Sequence, residues 1–271
     1  MGDHGDTGVP SYGAPPIPQQ PSEEPARLGP FQRLTGVLFS PGETFTDINR
    51  KPTYIAPIII GMVLALAASI VFSMRVKVDW ERITRDRIRT TVEKTGGSMP
   101  PEEQIQQQVN ITKMIGKIFP VLAVIGTPIY YALLSGIFAL ALLIAQTQTT
   151  FKKILSVVSW SAAATGLVGT IVTSASLMVR DTEGIDPSKP ESISTTNLAA
   201  FLPSGTARPL VAIAASLDVF GIWFLILLTI GFAAIAGSRR VTTGKTGSIV
   251  FGLWILWILI KVGFAALGFG G

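Results

Sequence analysis

Two ionisable residues stand inside long apolar runs of this sequence: Asp218, within residues 210–235, and Lys261, within residues 249–267. A charge in such surroundings is costly to desolvate and marks a candidate functional position. At 1.5 Å per helical residue, Asp218 lies about 12 Å in from Leu210 and Lys261 about 9 Å in from Leu267. Measured from the same face, these depths allow the two charges to meet. An ion pair between them would relieve the cost of burying each alone. Two simpler roles compete: Asp218 as the N-cap of a helix that starts at Val219, and Lys261 snorkelling to the surface.

Little other chemistry is on offer. The chain has no cysteine, which excludes disulfides, thiolate metal sites and cysteine nucleophiles. Its one histidine, His4, lies in a polar tail, so histidine-based acid–base catalysis and histidine metal sites are not expected. Gly244-Lys245-Thr246 has the ending of a phosphate loop, but the first glycine that motif needs is replaced by Arg239, and an apolar run precedes it instead of a strand. A basic turn explains it better. Asn110-Ile111-Thr112 matches a glycosylation acceptor, a pattern common by chance. No metalloprotease, dinucleotide or nucleophile-elbow motif occurs. The expectation is a chain that is not an enzyme and carries no cofactor or metal.

The elements that must position Asp218 and Lys261 follow from composition. Of the 271 residues, 48% are hydrophobic and only 14% charged, against about 25% charged in a typical soluble domain. Five apolar runs reach spanning length, at about 54–72, 119–145, 154–179, 210–235 and 249–267. The expected fold is all-α: a polytopic membrane protein with a five-helix transmembrane bundle. Gly61, Ala65, Ser69 and Ser73, and likewise Ala162, Gly166, Thr170 and Ser174, form small-residue faces that let helices approach closely in lipid. Pro128 predicts a kink in the second span. Trp254 and Trp257 lie too deep in the fifth for an interfacial belt and read as core.

Between the first two spans, residues 74–117 form a polar excursion. Trp80, Ile83, Ile88 and Val92 predict one helix, Gly96-Gly97 and Pro100-Pro101 a break, and Glu102, Ile105 and Val109 a second helix, so a polar helical hairpin is expected outside the lipid. Residues 1–30, rich in proline and glycine, read as a disordered tail; Asp3 and Asp6 argue against a signal peptide and Asp6 against myristoylation at Gly2. Phe31, Leu34, Val37 and Leu38, then Phe45 and Ile48, give two short amphipathic helices, lying on the membrane surface or packed beneath the bundle. Ser40, Pro41 and Glu43 predict the second start as a capping box.

Orientation follows from the short connections. Loop 146–153 carries Lys152 and Lys153, and loop 237–248 carries Arg239, Arg240 and Lys245, both without acids, which places them and the N-terminus in the cytoplasm, while loop 180–209, with Asp181, Glu183, Asp186 and Glu191, faces out. The nine Lys/Arg of residues 74–117 argue the other way, but long polar segments weigh less. The pI of about 9.6 is thus a matter of membrane orientation, and no nucleic-acid partner is expected.

The order of these motifs resembles the Yip1 family, particularly its bacterial members. Residues 38–45 (Leu38-Phe39-Ser40-Pro41-Gly42-Glu43-Thr44-Phe45), with Ile48, Pro52 and Pro57, are similar to the family's entry motif. The hairpin with Pro100-Pro101-Glu102-Glu103-Gln104-Ile105 is similar to its insertion, and Ser216-Leu217-Asp218-Val219-Phe220-Gly221-Ile222-Trp223 to its fourth-span motif. The resemblance covers residues 31–268 as one membrane domain. It implies five spans, a cytoplasmic N-terminus and, from the bacterial members, the bacterial inner membrane. Eukaryotic relatives act in vesicle traffic and contact small GTPases, but the tail here holds no motif that would carry GTPase binding over. The expected function is a non-enzymatic membrane scaffold or adaptor, in membrane organisation or in trafficking and export complexes. Its partners would be the lipid bilayer, other membrane proteins and a second copy of the chain. The rival is a transporter, channel or accessory subunit of an export system that uses Asp218 and Lys261.

Overall fold

Lipid offers no partner for a free backbone amide, so long apolar runs must satisfy their hydrogen bonds internally and become helices. The computed structural model describes residues 27–183, 185–187, 193, 195–203, 205–237 and 241–267. The readings made for His4, most of the tail, Glu191, Arg239 and Arg240 fall outside these. Among the described residues the helices are α1 (Pro30–Phe39), α2 (Pro41–Arg50), α3 (Ile55–Arg75), α4 (Trp80–Thr95), α5 (Glu102–Ile144), α6 (Phe151–Val179), α7 (Arg208–Ser216), α8 (Val219–Ile235) and α9 (Thr243–Ala266). A 3-10 turn, Leu198–Phe201, precedes α7. Four of these, α3, α5, α6 and α9, are long and apolar enough to cross a membrane; α8 is a shorter apolar helix.

The fourth apolar run is not one helix. It breaks between Ser216 and Val219, and Asp218 caps the second piece. Asp218 offers its side-chain oxygen to the backbone N–H groups of Phe220 and Gly221, both at 2.9 Å, which satisfies donors that the start of a helix leaves orphaned.

The polar hairpin forms as the spacing predicts, but its second arm is continuous with the second span in the 43 residues of α5. Gly96, at φ 68°, supplies the left-handed turn that ends α4. Ile88, Ile105 and Val109 then pack between the arms. Arg85 bridges them to Glu102 at 2.5 Å, and this hydrogen bond, with the guanidinium's charge, holds the Glu102 carboxyl below the usual carboxylate range.

The core centres on the first half of α6, where every residue from Ile154 to Ser161 is buried. The two short N-terminal helices close this end of the bundle and do not simply lie on a lipid surface: Val37, Phe45 and Ile48 are fully buried, packed among α6 and α8. Gly231 of α8 permits that contact, since a Cβ there would collide with Val157 and come within 3.2 Å of the Phe45 ring. The capping box expected at Ser40 and Glu43 does not form, because Ser40 makes no side-chain cap bond. Instead Gln32 accepts from the Gly29 N–H at 2.9 Å, one helix earlier.

Both short loops meet at this clasp end: the Gln148 N–H donates to the Ala236 carbonyl at 3.1 Å and Lys245 to that of Ala145 at 3.3 Å. The hairpin lies at the other end. There Arg75, at the end of α3, donates to the Leu177 and Met178 carbonyls of α6 at 3.1 and 3.0 Å.

Candidate functional site

The hairpin-end half of α6 faces a cleft instead of a packed core. Its small residues are the reason: Ala162, Gly166, Gly169, Thr170 and Ser174 line a space of about 580 Å³ bounded by α3, α5 and α8. The face read from sequence as a close helix contact is therefore partly the wall of a cavity. Gly169 still touches Phe220, at 3.5 Å from where a Cβ would stand. The corresponding face of α3 does make a close contact, since a Cβ on Gly61 would lie 2.6 Å from the Tyr131 hydroxyl.

Hydroxyl groups divide α6 into two halves. Ser156, Ser159 and Thr165 donate to the carbonyls one turn back at 2.7, 2.7 and 2.9 Å, the usual resting place of a helical hydroxyl in an apolar setting. Thr170, Thr173 and Ser174 line the cleft, and their hydroxyls make no hydrogen bond among the described residues. Three donors and acceptors are thus presented to whatever occupies the space.

Asp218 sits in the cleft wall. Besides its two amide bonds, its carboxylate accepts from the Thr196 hydroxyl. A short antiparallel bridge joins Asn197 to Asp218, with the Val219 N–H donating to the Thr196 carbonyl at 3.2 Å. Lys261, of α9, comes to the same break from the other side and donates to the Ser216 hydroxyl at 2.5 Å. The structure thus brings both residues to the junction of α7 and α8. Among the described residues no ion pair joins them; each is held by hydrogen bonds to its own neighbours.

Trp254 packs, half-buried, against the edge of the core, as expected, whereas Trp257 departs from it. Trp257 is 57% exposed, and both tryptophans line an apolar groove of about 510 Å³ between α5, α8 and α9. The cause is the loose seating of α9, in which only Thr246 and Val250 are buried. Gly244-Lys245-Thr246 opens that helix, and its hydroxyl is used structurally: Thr246 donates to the Thr229 carbonyl of α8 at 3.0 Å.

Sequence reasoning missed the most buried charges among the described residues. Arg33 of α1 is 3% exposed. It reaches Asp47 of α2 with its Nε at 3.0 Å and a terminal nitrogen at 2.7 Å. Its other terminal nitrogen donates to the Lys51 carbonyl at 3.0 Å and the Thr53 hydroxyl at 2.6 Å. Trp160 of α6 then donates to the Thr53 carbonyl at 2.9 Å, which ties the clasp to the core. Burial pushes the Asp47 carboxyl up, but the Arg27 N–H, the Arg33 hydrogen bonds and the Arg33 charge together hold it below its ordinary value. A signal was present: Arg33 and Val37 are four residues apart, so Arg33 falls on the apolar face of its helix.

Among the described residues no group of three or more His, Cys, Asp or Glu could hold a metal ion. Long apolar helices, a kinkable proline-bearing span, a polar hairpin at one end and a buried clasp at the other define a multi-pass helical membrane protein. The Yip1 domain matches residues 35–267, so the chain belongs to the Yip1 family. It is similar to "Membrane protein YknW" of Bacillus subtilis (strain 168), with 25% identity over 228 residues that cover 84% of this chain and 89% of that protein. No solved structure matches. Neither match names an enzymatic family.

Proposed function

We propose that this Yip1-family protein is a non-enzymatic scaffold or adaptor in the membrane. In this reading residues 31–268 form one membrane domain behind the tail of residues 1–30, with five crossings and a cytoplasmic N-terminus, in the bacterial inner membrane. The observation that carries it is α9. Over 24 residues it buries only Thr246 and Val250, and it presents Ile255, Leu256, Trp257, Leu259, Ile260 and Phe264 outward. A helix so lightly held can give one side to its own bundle and the other to lipid or a neighbouring helix. The fifth crossing is α8: its 17 residues extend about 25 Å, close to the roughly 30 Å of hydrocarbon. The cytoplasmic assignment rests on Lys152, Lys153 and Lys245, which share the clasp end.

A photo-crosslinking residue at Leu256 of the full chain in native membranes tests the adaptor reading. A discrete adduct, absent when the crosslinker is moved to Val63 of α3, is expected; an adduct of twice the chain's mass would identify a second copy as the partner. Adducts with lipid alone would overturn it. The natural chain has no cysteine, so single cysteines at Ser98, Gln148 and Thr243 report orientation. Outside labelling at Ser98 with protection at the other two is expected, and the reverse would invert the topology.

The second reading, a transporter, channel or export subunit, draws support from Asp218 and Lys261 meeting at one break in the fourth apolar run. It requires the two side chains to exchange their present partners for each other. Solute flux by the purified protein in liposomes, lost in Asp218→Asn and Lys261→Met, would favour it over the scaffold. A charge-swapped double variant no better folded than either single variant would exclude the pair.

A further inference from the structure

The hydroxylated cleft does not stand alone. A chamber of about 540 Å³ lies beside it, between the hairpin and the end of α3, with Arg87 and Lys117 in its lining. Phe72 and Phe119 border both spaces. On the far side, Tyr130 and Phe224 border both the cleft and the apolar groove that holds Trp254 and Trp257. Three chambers thus lie side by side with shared walls, and their chemistry changes in order: basic, hydroxylated, apolar.

The cations of the first chamber have no ionic partner among the described residues. Arg85 and Arg89 of the same hairpin pair with Glu102 and Glu93, whereas among the described residues Arg87 and Lys117 make no ion pair and no acid lines their chamber. The one carboxylate lining the second chamber among the described residues, Asp218, is already engaged by three hydrogen bonds. Depth fits as well. Trp80 covers Gly116, where a Cβ would strike the indole ring, and an indole marks the water–lipid boundary. From Lys117 to Tyr130, α5 advances about 20 Å, comparable with the roughly 15 Å of hydrocarbon in one leaflet.

We propose that the three chambers form one binding site for an anionic phospholipid. The phosphate sits on Arg87 and Lys117. The glycerol and ester oxygens face the hydroxyls of Thr170, Thr173 and Ser174. An acyl chain passes Phe224 towards Trp254 and Trp257. The order of the chambers is the order of the molecule's own parts, and the charge selects an acidic headgroup over a zwitterionic one. This site is independent of the scaffold reading, since it requires no protein partner.

Native mass spectrometry of the full chain in a mild detergent, titrated with phosphatidylglycerol or phosphatidylcholine, tests the proposal. One phosphatidylglycerol per chain is expected, held about tenfold more tightly than phosphatidylcholine. Arg87→Gln with Lys117→Gln abolishes that preference and leaves phosphatidylcholine binding unchanged. Arg82→Gln with Lys94→Gln, which removes two hairpin cations outside the chamber, leaves the preference intact. Thr170→Phe, which fills the middle chamber, weakens both lipids by about tenfold or more. The charge variant decides the matter if Thr170→Phe fails to fold, because both of its cations are exposed. Equal retention of the two lipids, an equal loss in the Arg82 and Lys94 control, or tighter retention of a free fatty acid overturns the proposal.

Discussion

At the clasp end, Arg33 and Asp47 meet where both side chains are under a tenth exposed; at the hairpin end, Arg85 and Glu102 meet with side chains 37% and 67% exposed. Both are arginine–carboxylate pairs between adjacent helices. Water separates them energetically. In the clasp every atom of the pair that leaves water finds a new partner, so the arrangement is all-or-none and holds α1 and α2 rigidly on α6. In the hairpin, water competes for both groups, and packing of Ile88 on Ile105 and Val109 carries the contact. One end is sealed, and the other keeps a cleft with free hydroxyls.

The largest expected effect breaks the clasp. Arg33→Ala leaves Asp47 buried without its cation and costs about 3–5 kcal/mol, read as a lower midpoint of denaturant unfolding in detergent. The same pair sets a pH dependence. Asp47 is held below its ordinary pKa, so its contribution is complete above the unfolded-state value of about 4 and fades as pH falls through the folded-state value. Wild-type stability should therefore drop on acidification below about pH 4, while Asp47→Asn should start lower and lose less. A flat wild-type profile would remove the claim that the clasp is electrostatic.

Glycines sharpen the contrast next. Gly231→Ala forces a methyl into Val157 and the Phe45 ring and should cost about 1–3 kcal/mol. Gly169→Ala meets Phe220 only at ordinary contact distance, 3.5 Å, and should leave the unfolding midpoint unchanged. Equal losses at the two positions would mean that the cleft is as tightly packed as the clasp. Asp218→Ala removes a helix cap and should cost about 1 kcal/mol, with Asp218→Asn milder because the amide oxygen still caps. The smallest effect is Arg85→Ala. It should leave global unfolding within error of wild type and show itself only as faster amide exchange across α4 and the first turns of α5.

Apolar run length made α3, α5, α6 and α9 legible from the sequence, and Gly96-Gly97 with Pro100-Pro101 marked the hairpin turn. What escaped had weaker local signals. The break before α8 falls in a run that stays apolar on both sides, so only Asp218 betrays it, and a carboxylate reads equally as a buried charge or as a cap. Arg33 and Asp47 lie 14 residues apart on two separate short amphipathic helices; their meeting depends on a turn at Ser40 that closes without the expected capping box. Asp218 and Lys261 were singled out from burial cost alone, and the structure brings them to one junction. The cleft could not be read at all, because its walls come from four helices spread from Ala68 to Phe224 and no linear spacing links them.

The 43 residues of α5 make a single rod of about 65 Å, more than twice the depth of the hydrocarbon. No loop interrupts it between the hairpin turn and Ile144. The second arm of the hairpin and the cleft wall carrying Phe119, Tyr130 and Tyr131 therefore belong to one continuous helix, which also holds Pro120 and Pro128. The hairpin and the cleft thus share one unbroken backbone element.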